Sequence, residues 1–383
     1  MTEFKIQKDF TSNIMKRLTT KEIKGLVPYP PGKPIEELER ELGISGSIKL
    51  ASNENPLGPS PLAVRAVIDN VNKINRYPDG SAYYLKSKLA GLFDITPERI
   101  IIGNGSNNLI ELAIRTFLSR GEEVIQAFPT FLFYEKITTS SGCRLISVPL
   151  KDFRINLDGI LNAVTKKTKL IFINNPNNPT GTALAGAEVK DFLRSLSPDI
   201  VVVLDEAYIE FITDENIANG LELLKDFPRL IVLRTFSKLY GLAGLRIGYG
   251  FSSEDIVDYM NRVRQPFNVN LLAQAAAVAA LDDRAFVAET LRILREGLEY
   301  LFTKLNELGI EYRPTQTNFF LIKSPLGGRK TYELMLREGV IIRSMESFGL
   351  KEYIRINVGL PEENKRFIET FKKVLNEETY NSR

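Results

Sequence analysis

Lys238 is the residue of this sequence whose neighbours best suit a nucleophilic role. Its segment, 234–248 (RTFSKLYGLAGLRIG), also contains Thr235, Ser237 and Arg246. A lysine amine that is partly desolvated and close to other cations has a lowered pKa and can attack an aldehyde. The two hydroxyl groups and the arginine together suit the binding of a phosphate. The simpler interpretation is a solvated lysine on a loop, which is the usual situation of this residue type.

Three other segments carry polar residues immediately after short apolar runs. The glycines and the Ser-Asn pair of 103–108 (GNGSNN) could bind an anion through backbone N–H groups and a helix dipole. Residues 174–181 (NNPNNPTG) form a rigid loop that is rich in amide donors. Asp205 begins 205–208 (DEAY), where a buried carboxylate costs desolvation energy unless it has a partner such as a pyridinium nitrogen. Taken singly, the three segments could be a strand–turn–helix junction, a tight turn and a helix cap.

The apolar runs that precede the Lys238 segment and the other three segments predict where all four lie in the fold. Short apolar runs separated by amphipathic stretches predict buried parallel strands of an α/β sheet at 100–102, 124–128, 145–148, 170–173, 200–204 and 230–233, with 246–251 as a further candidate. In an open parallel sheet, ligands bind beyond the carboxyl ends of the strands. An anion site, an amide loop, a carboxylate and a lysine at four such ends together predict a site for pyridoxal phosphate.

The sequence after residue 251 predicts a second, smaller α+β domain. Residues 271–308 have the composition of one helix that ends at Gly309. Further elements are expected as strands at 319–322, 340–343 and 353–358 and as helices at 330–338 and 362–375. The expected division of the chain is a helical arm at 1–26, a large domain at 54–270, and a small domain formed by 27–53 with 271–383.

The composition narrows the chemistry and the location. The chain of 383 residues contains no histidine, which excludes Ser-His-Asp catalysis, Cys-His catalysis and histidine-ligated metal sites. Its single cysteine, Cys143, cannot form an internal disulfide and fits a reducing cytoplasm. The net charge of +3 is small, and no apolar run is long enough for a membrane span or a signal core. We therefore expect a cytoplasmic protein without a nucleic-acid or membrane partner, whose acid–base chemistry depends on a carboxylate, a tyrosine or a lysine.

Several motifs between residues 27 and 375 extend this interpretation. They are YPPGKP at 29–34, NENPLGPSP at 53–61, RYPDG at 76–80, NPNNPTG at 175–181, DEAY at 205–208, and Ser-Lys at 237–238 with GLR at 244–246. The chain thereby resembles fold-type I aminotransferases, and its first three motifs are far more specific for the histidinol-phosphate branch than the lysine motif, which many relatives share. The resemblance implies a mostly parallel central sheet, a smaller α+β domain and a homodimer with active sites at the interface. Residues 53–61 resemble the segment that relatives offer to the neighbouring subunit.

The resemblance also implies a role for each site residue. Lys238 carries pyridoxal phosphate as a Schiff base and later moves a proton, while Asp205 pairs with the pyridine nitrogen. Tyr208 and Asn178 bind the phenolic oxygen of the ring, and Phe131 stacks on the ring. The phosphate contacts are expected from Ser106, Asn107, Thr235, Ser237 and Arg246. The substrate contacts are expected from Tyr29, Asn178, Arg343 and Arg355.

Two positions depart from the pattern of the relatives. Some relatives have a tyrosine at the position of Leu57, whose hydroxyl reaches the phosphate across the dimer interface, and leucine cannot make this contact. Relatives often carry an acidic residue at Asn107 or Asn108, and this chain has neither. Both departures concern the details of cofactor binding and leave the chemistry unchanged.

The reaction implied by the resemblance is amino transfer from histidinol phosphate to 2-oxoglutarate. It yields imidazole-acetol phosphate and glutamate and belongs to histidine biosynthesis. Arginine suits both substrates, because its planar fork binds a phosphate or a carboxylate through two hydrogen bonds. The alternatives are an aromatic amino-acid aminotransferase, a threonine-phosphate decarboxylase, and a non-catalytic ligand-binding protein on the same fold.

Overall fold

The computed structural model describes residues 16–28 and 32–381, with side chains up to residue 377. Tyr29 and residues 1–15 of the expected arm lie outside these ranges. The strands are β1 (Ile48–Lys49), β2 (Ile100–Gly103), β3 (Glu123–Phe128), β4 (Arg144–Pro149), β5 (Thr168–Asn174), β6 (Val201–Asp205), β7 (Leu230–Thr235), β8 (Gly248–Phe251), β9 (Phe319–Lys323), β10 (Val340–Ile341), β11 (Arg343–Ser344) and β12 (Tyr353–Asn357).

The helices surround these strands and connect them. They are α1 (Lys21–Lys24), α2 (Ile35–Leu42), α3 (Pro61–Asn70), α4 (Tyr83–Phe93), α5 (Ser106–Phe117), α6 (Phe133–Ser140), α7 (Leu157–Ala163), α8 (Gly186–Ser195), α9 (Gly220–Leu223), α10 (Glu254–Val263), α11 (Leu271–Ala280), α12 (Arg284–Glu307), α13 (Gly328–Arg337) and α14 (Pro361–Asn381). Short 3₁₀ helices occupy Val71–Lys73, Pro97–Arg99, Ile209–Phe211, Ala243–Leu245 and Glu346–Phe348. Among the described helices, none has both the length and the apolar character that crossing a membrane requires.

Within the described residues, seven strands form a central sheet in the order β2-β8-β7-β6-β5-β3-β4. Neighbouring strands from β7 to β4 are parallel, and β8 is antiparallel to both β7 and β2. The predicted α/β fold with a mostly parallel central sheet is thus confirmed. Strands β5 to β7 consist mainly of Leu, Ile and Val and are buried, as expected where helices cover both faces of a parallel sheet. Since β2 runs in the same direction as β3, β5, β6 and β7, the carboxyl ends of these strands lie at one edge.

Three elements differ from the sequence-based expectation. The strand predicted at 145–148 to be buried is β4, which lies at the sheet edge with most of its side chains partly or fully exposed. The segment 340–343 contains two short strands, because β10 pairs with β1 whereas β11 pairs with β12. The single helix predicted at 271–308 is divided into α11 and α12 by a turn. Asp283 ends this turn and caps α12 by accepting a hydrogen bond from the N–H of Phe286.

The smaller unit combines the two ends of the chain. Strands β9, β11 and β12 form an antiparallel sheet, and β1 pairs with β10 through the partners Ile48 and Val340. This pairing supports the proposal that 27–53 belongs with the C-terminal part. Helix α11, by contrast, packs on α3 and α4, so we move the proposed domain boundary from residue 270 to residue 280. Helix α1 contacts α6 of the large unit, and Glu22 of α1 forms an ion pair with Arg120, which lies between α5 and β3.

Candidate active site

One pocket lies beyond the carboxyl ends of the central strands. Its wall contains every predicted site residue that falls in the described ranges, namely Ser106, Asn107, Phe131, Asn178, Asp205, Tyr208, Thr235, Ser237, Lys238, Arg246, Arg343 and Arg355. Tyr29, the remaining predicted residue, lies outside those ranges. The wall also contains residues that the sequence did not predict, among them Gly32, Lys49, Ala51, Ser52, Asn53, Glu54, Asn174, Ala207, Ala243 and Phe348.

The amine of Lys238 is held in surroundings that favour its neutral form. Its Nζ donates a hydrogen bond to the carbonyl oxygen of Ser52 at 3.1 Å. Burial lowers the pKa of Lys238 to about 8, and the positive charges of Arg355 and Arg246 act in the same direction while Glu54 opposes them. A lysine with this pKa keeps a useful fraction of neutral amine, which is the form that attacks an aldehyde.

We expect the amine of Lys238 in the cofactor-free protein to titrate near pH 8, whereas exposed lysines have pKa values of about 10.4. Only the neutral amine reacts with acetic anhydride. Acetylation of Lys238 should therefore fall about tenfold for each pH unit below its pKa and level off above it. Peptide-resolved labelling over a range of pH measures this, with the solvent-accessible Lys190 of α8 as internal control. A Lys238 profile that coincides with that of Lys190 would contradict the burial of the amine.

Asp205 lies at the end of β6 with only 3% of its surface exposed. Its Oδ2 accepts a hydrogen bond from the hydroxyl of Tyr134 at 2.6 Å, and its Oδ1 accepts one from the N–H of Ala207 at 3.2 Å. Burial raises the pKa of Asp205 to about 6, against the effect of both hydrogen bonds. A cation beside the carboxylate, such as a protonated pyridine nitrogen, would offset the cost of burying its charge.

Tyr134 is a part of this arrangement that the sequence analysis missed. Its ring stacks on Phe172 with 4.4 Å between the centroids and 2° between the planes, and it meets Phe131 edge-to-face at 5.5 Å. Packing on two sides therefore fixes the hydroxyl against Asp205. The sequence spacing indicated that Tyr134 lies near the cofactor ring, because it follows the predicted ring-stacking residue Phe131 by about one helical turn.

The start of α5 and the side chain of Arg246 form a cradle for an anion. Helix α5 begins at Ser106 after Gly105, whose φ is +74°, and the N–H groups of a first helical turn have no partner within the helix. A Cβ on Gly105 would lie 2.7 Å from Nη2 of Arg246, and one on Gly248 would lie 2.5 Å from the backbone nitrogen of Ser106. Glycine at both positions thus allows β8 and the guanidinium to approach the helix start closely enough to surround a phosphate.

Asn107, Asn108 and Leu57, at which the chain departs from the pattern of the relatives, lie in three different surroundings. Oδ1 of Asn108 accepts hydrogen bonds from the N–H of Asn104 at 3.2 Å and from the side-chain amide of Asn268 at 3.0 Å. It thereby fastens the turn before α5 to a distant segment, whereas Asn107 lines the pocket. Leu57 lines a separate small cavity inside the chain.

Two arginines supply positive charge to the pocket. Arg343 of β11 and Arg355 of β12 are direct partners in an antiparallel ladder, so both side chains project from the same face. Arg355 donates from Nη1 to Oδ1 of Asn178 at 2.5 Å and from Nη2 to the carbonyl oxygen of Ala51 at 2.9 Å, and its guanidinium lies 5.0 Å from the ring centroid of Phe319. These contacts fix the plane of a group that binds carboxylate or phosphate through two hydrogen bonds.

Asn53 connects Tyr208 to the small unit. Its Nδ2 donates to the hydroxyl oxygen of Tyr208 at 3.0 Å, and its backbone N–H donates to Oδ1 of Asn357 in β12 at 3.1 Å. The carbonyl oxygen of Asn53 also accepts a hydrogen bond from the side chain of Asn318. The first residue of the motif at 53–61 is therefore part of the site wall.

A buried ion pair lies next to the site residues on β6 and β7. Nε of Arg234 donates to Oε2 of Glu206 at 2.9 Å, and the side chains are 6% and 0% exposed, respectively. Oε1 of Glu206 accepts a hydrogen bond from the N–H of Gly220 at 2.5 Å, and the guanidinium lies 5.1 Å from the ring centroid of Phe93. Since Asp205 precedes Glu206, the pair ties the strand that carries this carboxylate to the strand that leads to the lysine.

These groups fit a phosphorylated pyridine aldehyde. The amine of Lys238 can bind the aldehyde carbon, Asp205 can pair with the ring nitrogen, and the cradle can hold the phosphate with help from the hydroxyl groups of Thr235 and Ser237. Pyridoxal phosphate combines these three features. The individual contacts with it stay predictions.

Comparisons with known proteins support this interpretation. The chain matches the family Aminotransferase class I and II over residues 45–371. It is 45% identical to the histidinol-phosphate aminotransferase of Moorella thermoacetica over 354 residues, which are 92% of either chain. It is 47% identical to that of Desulfotalea psychrophila over 361 residues, which are 94% of this chain and 95% of the relative.

A solved structure has the same architecture. The crystal structure of histidinol-phosphate aminotransferase from Sinorhizobium meliloti in complex with pyridoxal-5'-phosphate matches with a TM-score of 0.86 at 28% identity, covering 94% of this chain and 98% of that one. The predicted fold-type I architecture and the resemblance read from the motifs are thus confirmed. On this evidence, the chain belongs to the class I and II aminotransferases.

Proposed function

We propose that this chain is a pyridoxal-phosphate-dependent aminotransferase that transfers the amino group of histidinol phosphate to 2-oxoglutarate. The products are imidazole-acetol phosphate and glutamate, and the reaction belongs to histidine biosynthesis. The observation that carries the proposal is the presence of Arg343 and Arg355 in the pocket of Lys238. Two guanidinium groups suit the charge of a phosphate and also accept the carboxylates of the second substrate. The names of the relatives at 45% and 47% identity support the same substrate.

Each residue of the pocket has a separate role in the proposed reaction. When bound, pyridoxal phosphate supplies an electron sink that stabilises negative charge on the substrate carbon. Lys238 would hold the cofactor through Nζ and, once the substrate amine has displaced it, would move the proton at the substrate carbon as a neutral amine. Asp205 holds the proton on the pyridine nitrogen. Arg355 binds the anionic group of the substrate, with Arg343 as a second cation and Tyr29 as a further substrate contact.

The remaining residues orient the ring and its phosphate. Tyr208 and Asn178 hydrogen-bond to the phenolic oxygen, and Phe131 stacks on the ring. Because Oδ1 of Asn178 accepts from Arg355, its Nδ2 is the atom that can donate to the ring oxygen. The phosphate is held by Ser106, Asn107, Thr235, Ser237 and Arg246.

A substrate panel with 2-oxoglutarate as acceptor tests the proposal. The kcat/KM for histidinol phosphate should exceed that for phenylalanine or tyrosine by at least about tenfold, because a charge-assisted hydrogen bond contributes about 1.5–3 kcal/mol. A ratio below one would assign the chain to the aromatic aminotransferases. Release of carbon dioxide from threonine phosphate without 2-oxoglutarate would indicate the decarboxylase. Cofactor binding without turnover of any substrate would indicate a ligand-binding protein.

A homodimer is part of the same proposal. Exposed apolar side chains are concentrated on α3, the turn after it and α4, as shown by Leu62, Val64, Ile68, Ile74, Tyr77, Tyr83 and Tyr84. Tyr77 stacks on the exposed Phe267 with 4.7 Å between the ring centroids. A concentration of exposed apolar side chains is typical of a protein interface, and a second copy of the chain is the occupant that the family resemblance implies.

The segment 53–61, which resembles the part that relatives offer to the neighbouring subunit, is partly buried within its own chain. The side chains of Asn53, Asn55 and Ser60 are buried, whereas Pro59 is exposed, so the segment can contact a partner together with α3 and the RYPDG segment at 76–80. Sedimentation equilibrium should give twice the mass of the chain at assay concentrations. A fully active monomer would contradict the dimer.

A further inference from the structure

We propose that the ion pair between Lys49 and Glu54 recognises the end of the substrate that lies farthest from Arg355. In this arrangement, Glu54 accepts a hydrogen bond from the imidazole N–H of histidinol phosphate. Lys49 donates to the distal carboxylate of glutamate or 2-oxoglutarate. The inference rests on the proposed function and explains how one pocket receives a ring in one half-reaction and a carboxylate in the other.

The segment 49–54 lies directly against the reacting groups. The carbonyl oxygen of Ala51 accepts a hydrogen bond from Arg355, and that of Ser52 accepts one from Nζ of Lys238. The anion-binding arginine and the catalytic lysine are therefore both anchored to the middle of this segment. Its two ends carry Lys49 and Glu54, which line the same pocket.

Strand pairing holds the backbone of Lys49, and both charged side chains are accessible. Lys49 ends β1, where it pairs with Ile341 of β10. Its Nζ lies 3.0 Å from Oε1 of Glu54, and the side chains of Lys49 and Glu54 are 19% and 45% exposed, respectively. A ligand can therefore reach both charged groups, and the more exposed Glu54 can turn away from a ligand that it repels.

The other charged groups of the pocket already have a proposed use. Asp205 and Arg246 face the cofactor, and Lys238 reacts. Arg343 and Arg355 bind the anionic group that every substrate shares. Among the described residues that line the pocket, the charged side chains that remain are Lys49 and Glu54. The distal group of the substrate therefore has these two charges available to distinguish one substrate from another.

The chemistry of the pair matches both distal groups. A neutral imidazole presents one N–H donor and one nitrogen acceptor, and the pair presents a carboxylate acceptor beside an ammonium donor. A carboxylate presents acceptors alone, so it is attracted by Lys49 and repelled by Glu54. Removing one member of the pair should therefore shift the preference between the two substrates, and removing the other should shift it the opposite way.

The test compares Lys49→Met with Glu54→Gln in the cofactor-loaded enzyme. The two half-reactions are measured separately by stopped-flow absorbance, with histidinol phosphate and with glutamate as amino donors. Lys49→Met should raise the ratio of kcat/KM for histidinol phosphate to that for glutamate by about tenfold, and Glu54→Gln should lower it by about tenfold. Lys190→Met, in the surface pair with Asp226, is the matched control and should leave the ratio unchanged.

Binding of the unreactive dicarboxylate glutarate supplies a readout apart from turnover. By calorimetry, Lys49→Met should raise the Kd for glutarate about tenfold, whereas Glu54→Gln should lower it. Equal changes in both half-reactions, or ratios that do not move, would overturn the inference even if histidinol phosphate is the substrate. If the wild-type enzyme does not use histidinol phosphate, the proposed function fails. Glutarate binding then decides the role of Lys49 on its own, and an unchanged Kd rejects it.

Discussion

Replacing Lys238 with alanine should lower kcat by at least about ten-thousandfold while the protein stays folded. The substitution removes the amine that binds the cofactor and moves the proton at the substrate carbon. Lys49 also lines the pocket, but its amine is paired with Glu54. The phosphate cradle at α5 is untouched, so the variant should still bind pyridoxal phosphate. Turnover, cofactor absorbance and Tm are the measurements, with Lys190→Ala as the matched control.

Chemical trapping identifies the lysine independently of turnover. Borohydride reduction of the wild-type enzyme should fix the cofactor on the peptide that contains Lys238. Trapping on Lys49 or on any other lysine would remove Lys238 from its proposed role. Near-normal turnover in a folded Lys238→Ala variant would do the same.

Asp205→Asn should lower kcat on the order of 10²–10³-fold, the range seen when a single electrostatic contact to a reacting group is lost. Asparagine has almost the shape of aspartate but no charge to hold the proton on the pyridine nitrogen. Burial already raises the pKa of Asp205 to about 6, so the carboxylate is costly to the fold and its removal should not lower Tm. Near-normal kcat in a folded variant with bound cofactor would contradict the assigned role.

Tyr134→Phe is the matched comparison for Asp205→Asn. The phenylalanine keeps the packing on Phe172 and removes the hydroxyl that donates to Oδ2 of Asp205. Since this hydrogen bond lowers the pKa of Asp205, its loss raises that pKa further and reduces the fraction of carboxylate at a given pH. A loss of about tenfold in kcat is expected. This loss should be smaller than that of Asp205→Asn, because the phenylalanine variant keeps the charge of Asp205 and removes a single hydrogen bond to it.

The residues at strand ends could be predicted because a parallel sheet leaves few choices. Once apolar runs predict buried strands, Asp205 and Lys238 must lie at one edge of the sheet, and the chemistry of their types indicates the ligand. The same reasoning predicts the turn before Ser106 as an anion site. These residues belong to different segments, yet strand direction alone brings them together.

Other parts of the site could not be predicted in this way. Lys49 and Glu54 enter the pocket because β1 pairs with β10, and two residues of parallel pairing leave almost no trace in a sequence. The spacing of Tyr134 from Phe131 places the two rings close together, but the contact between Tyr134 and Asp205 depends on how α6 packs against the sheet. The division of 271–308 into two helices depends on Asp283, whose Oδ2 also accepts a hydrogen bond from the distant Ser60.

The ion pair of Glu206 and Arg234 bears on how the protein responds to ionic strength. Dissolved salt screens charges that face water, but it has little effect on a pair that is buried as completely as this one. The alignment of β6 and β7, and with it the spacing of Asp205 and Lys238, should therefore depend little on the salt concentration. Arg343, which lines the pocket that receives an anionic substrate, is only partly buried and is therefore less protected from screening. A change in ionic strength should therefore alter the binding of the anionic substrate and leave the alignment of β6 and β7 unchanged.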